Sequence, residues 1–411
     1  MQITWMEMKK ALGSPVILCL LGLFISFNLF TIFSGADNKA ELKVVNHIVE
    51  EYGLTFDDSI LNTMQEHVNE DVRQFDSSYQ DADAFLKSMT FEHYSMASKE
   101  EQQEIDRIGL MQMYIGLGKS LDERYSELDA DQMRDKMVKE LSLSGFTEEV
   151  VSAEYKKLDT RLEEMKGNAE YKQWFFAGDY RMHTELFRSL LKNTALEGVM
   201  LVVLLTALIS NYEFENRSQL VAYTTKRGRK LIWNKLAASL LSTLLLIVPL
   251  FGISLLAYFQ FYDYSGLWHS LISSGLNWEY KLPYITRWPI EFHHYLWMAI
   301  AILSLILMIV SLLTFALSIV IKNSYMTWIV MILLLVSMFV IPSFFAGIPL
   351  VLILMNFNLT LLLVNPHMYF SGVSGLTMFE HYEIVTLASW FAAGVVISSL
   401  AMRRFYRKDI V

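Results

Sequence analysis

Two patterns divide the chain. Residues 15–34 form an unbroken apolar stretch, and five more recur at 194–210, 231–259, 295–321, 326–345 and 384–402. Each is of a length that crosses a hydrocarbon layer of about 30 Å as a helix. The segment between the first two, residues 35–190, is hydrophilic, and its apolar positions repeat at helical spacing. Val151, Tyr155, Leu158, Leu162 and Met165 recur at intervals of four and three, with Thr147 placed to cap and Glu148 and Glu149 in the first turn. Val44, Val45, Ile48, Val49 and Tyr52 mark an earlier helix that stops at Gly53. Leu121, Tyr125 and Leu128 form a further stripe, and Met133, Met137 and Leu141 another. No proline interrupts residues 16–248. The insert therefore reads as an all-helical domain, its last helix continuing through Trp174, Phe175 and Tyr180 into the second span. The fold class expected is an all-α integral membrane protein with six spanning helices.

Charge sets the orientation. Lys9 and Lys10 precede the first span, whereas Asp37 and Glu41 follow it, so the positive-inside rule places the N-terminus in the cytoplasm and residues 35–190 outside. Later loops alternate in the same sense. The basic loop at 211–230 falls inside, the aromatic loop at 260–294 outside, and Lys322–Tyr325 and the tail at 403–411 inside. One apolar stretch, 347–366, is left over. Its full crossing would put the tail's bases outside, so parity favours a re-entrant pair of short helices over a seventh span. The pair would break near Asn356 and Asn358 and end at Asn365-Pro366. The first stretch is longer than a signal-peptide core and has no small-residue cleavage site before Asp37, which makes it a retained span.

The net charge of −9 conceals an asymmetry. The insert holds roughly 33 acids against 18 bases, leaving the rest of the chain positive. Basic patches interleaved with aromatics are absent, which excludes nucleic acid as a partner. The single cysteine, Cys19, rules out an internal disulfide or a thiolate metal site. Gly118-Lys119-Ser120 echoes the end of a phosphate-binding loop, but Met113 stands where the first glycine is required. His293 and His294 are adjacent, and neighbours on a helix diverge by about 100°, so they read as interfacial residues and not as a metal pair. No catalytic or metal site is expected. Glu197 lies toward the outer end of the second span, and no ionisable group lies near a span's centre. That argues against an ion-coupled carrier, which needs such groups at mid-membrane.

The remaining chemistry is in the loop after the second span. Glu213, Glu215 and Arg217 precede a short amphipathic turn, Leu220, Val221 and Tyr223, and Lys226, Arg227, Arg229 and Lys230 follow. An apolar knob between charged flanks can enter a partner's groove while the charges fix its register.

These residues resemble those of the permease subunits of ABC-2 type exporters, in the branch with a large external domain between the first two spans. The likeness lies in an acid after the second span (Glu213 or Glu215), a coupling helix (218–223), a turn at 224–229 and Lys235 opening the third span. A proline frequent in that turn is replaced near Thr225. An amphipathic elbow at 1–14, with Trp5, Met6, Met8 and Lys9, and Asn365-Pro366 before the last span are also similar to the family. The resemblance implies a second permease copy or paralogue and separate ABC ATPase subunits docked through Glu213, Glu215, Arg217, Leu220, Tyr223, Lys226, Arg227 and Arg229. ATP and Mg would be on the ATPase and no cofactor on this chain. The exported substrate would be a peptide or amphiphile. The alternative from another class is a receptor whose acidic ectodomain binds a cationic ligand.

Overall fold

A computed structural model of the chain describes residues 2–34, 39–177, 184–224, 226–279 and 282–407. It opens with helix α1 (Gln2–Leu12) and α2 (Pro15–Ser34). Seven helices of the insert follow: α3 (Lys39–Tyr52), α4 (Asp58–Phe75), α5 (Ala82–Ser88), α6 (Phe91–Met96), α7 (Lys99–Ser126), α8 (Ala130–Glu140) and α9 (Phe146–Asn168). A π-helical turn, Thr184–Leu191, leads into α10 (Lys192–Glu215). Then come α11 (Gln219–Tyr223), α12 (Lys226–Arg229), α13 (Leu231–Phe261), α14 (Phe292–Ile321), α15 (Ser324–Val340), α16 (Pro349–Asn356), α17 (Leu359–Val364) and α18 (Tyr382–Arg407). Two-residue strands, Trp278–Glu279 and Leu282–Pro283, pair antiparallel in the loop before α14.

Among the described residues, six helical stretches are long and apolar enough to cross a membrane: Pro15–Ser34, Glu185–Glu215, Leu231–Phe261, Phe292–Ile321, Ser324–Phe345 and Tyr382–Arg407. They are unequal in burial. The apolar windows of α10 and α14 are 78% and 61% buried, against 17% to 39% for the other four. The bundle is thus built on an inner α10–α14 pair, with the outer helices presenting apolar faces such as Leu23, Phe27 and Phe30 of α2. A Cβ added at Gly198 of α10 would lie 2.9 Å from Leu307 Cδ1 of α14, and one at Gly394 of α18 equally close to Leu312 Cδ2. Small residues at these points let helices approach without a hydrophobic drive between them. The segment at 347–366 divides into α16 and α17, eight and six residues long, each too short to span. Asn358 caps the second through Leu361 N at 2.8 Å.

Several expectations about the insert change. The stripe at Leu121 and Tyr125 belongs to a 28-residue helix that begins with a capping box, Ser98 with Glu101. Thr147 does not cap α9. Gly145, at φ 55°, is the N-cap, and Thr147 Oγ1 donates to Ser144 O one turn back. Nor does α9 continue through Trp174 and Phe175. It ends at Asn168, and Ala169, in the left-handed region, turns the chain into an extended stretch where Gln173 bridges Thr55. Tyr180 lies outside the described residues.

The insert is not a separately solvated body. Arg161 of α9 donates to Thr286 O at 3.0 Å and pairs with Glu170, which also accepts from Ser273. Arg287 reaches Glu154 Oε2 at 3.0 Å and Met378 O at 3.1 Å. Tyr295 at the start of α14 donates to Pro366 O at 2.7 Å. The insert and the loops before α14 and α18 share one core.

Candidate functional site: the junction at α11

The segment joining α10 to α13 lies at the opposite end of the bundle from the insert. The helix carrying α10 runs to Glu215, five residues past the expected end of the second span, because nothing between 210 and 215 breaks it. Arg217, at φ 53°, then reverses the chain, and Ser218 N donates to Glu213 O at 2.8 Å. Glu213 and Glu215 are therefore helical residues and not members of a loop.

The two sides of α11 differ. Leu220 is 52% exposed and Val221 87%, whereas Tyr223 is fully buried. The Tyr223 ring lies against Phe214 and edge-on to Phe405, with centroids 5.8 and 5.1 Å away. Ile232, Phe315, Ile319 and Met402 complete this small core, so α11 is plugged into α13, α14 and α18. The Tyr223 hydroxyl donates to Glu213 Oε2 at 3.0 Å.

Glu213 also belongs to an ionic quartet in which Glu7, Glu213 and Lys235 are buried and Lys10 is exposed at the edge. Lys235 of α13, with 0% exposure, pairs with Glu213 and lies 3.4 Å from Glu7 Oε2. It also donates to Ile209 O, with Ser210 O at 3.4 Å. Lys10 closes the ring, 2.7 Å from Glu7 Oε1 and 3.4 Å from Glu213 Oε1. Two acids and two bases balance, which satisfies the rule that buried charges be paired. Burial alone would lower the Lys10 ammonium's pKa. Its hydrogen bond and attraction to Glu7, with help from Glu213, outweigh that and hold it above the ordinary lysine value. The quartet ties α1, α10 and α13 together, and through Tyr223 it reaches α11.

The residues expected to dock a partner thus separate. Glu213 and Tyr223 face inward. Arg229 donates to Tyr406 O at 2.5 Å and lies 3.4 Å from Tyr223 O, which binds α12 to the end of α18. Glu215 is exposed but accepts from Ser324 N at 2.6 Å, linking α10 to α15. Leu220, Val221 and Arg217 are left on the surface. The side chains of Lys226 and Arg227 lie outside those described, as does Thr225. Sequence reasoning missed Glu7 and read Lys10 only as a marker of orientation. The available signal was that Glu7 is the one acid before Asp37, three residues ahead of Lys10.

Two other polar features sit elsewhere. Within the bundle, Asn28 Nδ2 donates to Glu197 Oε2 at 2.8 Å and lies 3.2 Å from Ser254 Oγ and 3.3 Å from Thr194 Oγ1. Glu197 is about 24 Å from Glu213 along the helix at ~1.5 Å per residue. In the insert, a cavity of about 590 Å³ is lined by Lys39, Lys43, His47 and Arg107 with Asp106. Its basic lining is the reverse of what a cationic ligand requires. Gly118 and Lys119 lie within α7, with Leu61 packed against Gly118, and among the described residues no strand precedes them.

Comparison of the chain with protein-family models, with curated proteins and with solved structures found no match.

Proposed function

We propose that this chain is the membrane subunit of an ATP-driven exporter of the ABC-2 permease type, worked by a separate ATPase at α11. The observation that carries the reading is the two-sided geometry of α11. Outward it offers Leu220 and Val221 as an apolar knob beside Arg217. Inward it is bonded through Tyr223 and Glu213 to Lys235, Glu7 and Lys10. A push on the knob reaches α1, α10 and α13 through charge-assisted contacts, which resist displacement better than neutral ones. Such a junction converts nucleotide-driven closure of a partner into movement of spans. The chain supplies no nucleotide chemistry; ATP and Mg act on the ATPase.

In this reading the basic residues gathered with α11 (Lys9, Lys10, Arg229, Lys230, Lys322, Arg403, Arg404 and Arg407) mark the cytoplasmic side. The insert is then extracytoplasmic, and α16 and α17 enter the outer part of the membrane without crossing. A second permease copy packs against the exposed apolar faces of the outer spans, with lipid covering the remainder. The substrate class is a peptide or an amphiphile.

Cysteine cross-linking tests the docking face. With Cys19 replaced by serine, Val221→Cys should cross-link to an ATPase chain in native membranes, and a cysteine at Ser126 in the insert should not. No cross-linked ATPase from position 221, with labelling reagents still reaching it, would refute the assignment.

A further inference from the structure

At the junction of insert and bundle, three side chains separated in sequence converge. His269 lies in the loop after α13, Glu291 is the N-cap residue of α14, and His293 is in its first turn. His269 Nδ1 is 2.8 Å from Glu291 Oε2, and His293 Nδ1 is 3.3 Å from the same oxygen. One ligand atom from each of the three residues falls within 4.8 Å of the others. We propose that His269, Glu291 and His293 bind a divalent transition-metal ion, with Zn²⁺ the best fit.

The donor set and the spacing both support this. Two imidazoles and one carboxylate are a zinc set that leaves a fourth position for water. Zinc bonds to nitrogen and oxygen of about 2.0–2.1 Å in a tetrahedron place ligand atoms roughly 3.3 Å apart, close to the 2.8 and 3.3 Å that separate the two histidine nitrogens from Glu291 Oε2. The backbone carrying the ligands is fixed before any ion arrives. Leu271 and Glu291 form a β-bridge, Ile272 N donates to Ile290 O at 2.9 Å, and Phe292 N donates to Ser270 O at 2.8 Å. The Trp268 carbonyl lies 2.9 Å from His293 Nδ1, the same nitrogen that faces Glu291, so an ion bound there takes the place of that hydrogen bond and the ring ligates as its Nε2–H tautomer. The His294 ring packs against His293, tilted by 38° with centroids 3.8 Å apart. The His269 side chain is 75% exposed, which opens a path for the ion and lets this one ligand adjust.

A second grouping in the insert provides the contrast. His47 and His67 both approach Glu51, but they meet different carboxylate oxygens, at 3.2 and 3.4 Å. Those atoms do not converge on one point. Bound metal at the first trio would clamp the loop before α14 to the helix itself, at the place where the insert rests on the bundle.

The test uses the full chain, purified in detergent with a tag free of histidine and titrated with Zn²⁺ against a chromophoric chelator. One site per chain is expected. His269→Ala and Glu291→Gln should each weaken it at least about tenfold, since even outer-shell changes at zinc sites reach that size. His47→Ala should leave it unchanged. Co²⁺ in place of Zn²⁺ should give the intense visible bands of a tetrahedral site, absent in His269→Ala. Because His269 is exposed, its replacement leaves the fold intact and the comparison interpretable. No saturable binding would overturn the proposal. Binding that survives both substitutions, or that His47→Ala removes, would overturn it equally.

Discussion

At the residue scale, Lys235 is the most consequential side chain at the α11 junction. It is fully enclosed, and its ammonium is matched to two carboxylates and two carbonyls. Removing one member of a buried charge set strands the others, at a cost of about 3–5 kcal/mol. Lys235→Met should therefore destabilise the purified protein by that order, measured as reversible unfolding in detergent or bicelles. Lys235→Met combined with Glu213→Gln should recover part of the loss, because one stranded carboxylate becomes neutral. A double variant no better than the single would show that the quartet is not energetically coupled. Lys235 was noticeable in the sequence as a lone base opening an apolar stretch. Its partner Glu7 was not, because only the fold brings a residue of the first helix to one more than 200 positions away.

At the scale of elements, two close contacts between spans run along α14. Leu307 fills the space that a side chain on Gly198 would need, and Leu312 does the same opposite Gly394. Gly198→Val should force the inner pair apart and cost about 1–3 kcal/mol of stability, the usual range for overpacking. The assay is thermal unfolding of the detergent-solubilised chain, with Gly22→Val in α2, where nothing lies within 4 Å, as the neutral control. A Gly198→Val protein as stable as the control would show that the α10–α14 contact is loose. The six spans were legible because twenty apolar residues in a row have few other readings. Their ends were less so. The second span was cut at 210, since hydropathy falls there, although the helix itself continues through Glu213 and Glu215. Helix α9 ends at a left-handed Ala169, and the stop signal available in the sequence was Gly167-Asn168 just before it.

At the scale of the whole molecule, two hubs stand at opposite ends of the bundle. One joins the insert to the loops before α14 and α18 through Arg161, Arg287 and Tyr295. The other joins α1, α10, α11 and α13 through the ionic quartet. Between them run α10 and α14, the two most buried spans. This layout suits a body that receives force at one end and delivers movement at the other, and it gives the insert a mechanical connection to the spans. Sequence patterning separated insert from bundle but showed nothing of their shared core. The polar contacts of Arg161, Arg287 and Tyr295 follow no apolar periodicity, and their partners Thr286, Glu154 and Pro366 lie 125, 133 and 71 residues away.

The central claim, that α11 is where an ATPase takes hold, is tested most directly by affinity purification of the full chain in mild detergent from its own host. Wild type is compared with Leu220→Asp/Val221→Asp, and the eluates are assayed for a stoichiometric chain with ATPase activity. The account predicts that the ATPase co-elutes with the wild type and is lost from the variant, while the variant stays folded because both side chains are solvent-facing. An ATPase retained by the variant, or none with the wild type in several gentle detergents, would contradict it.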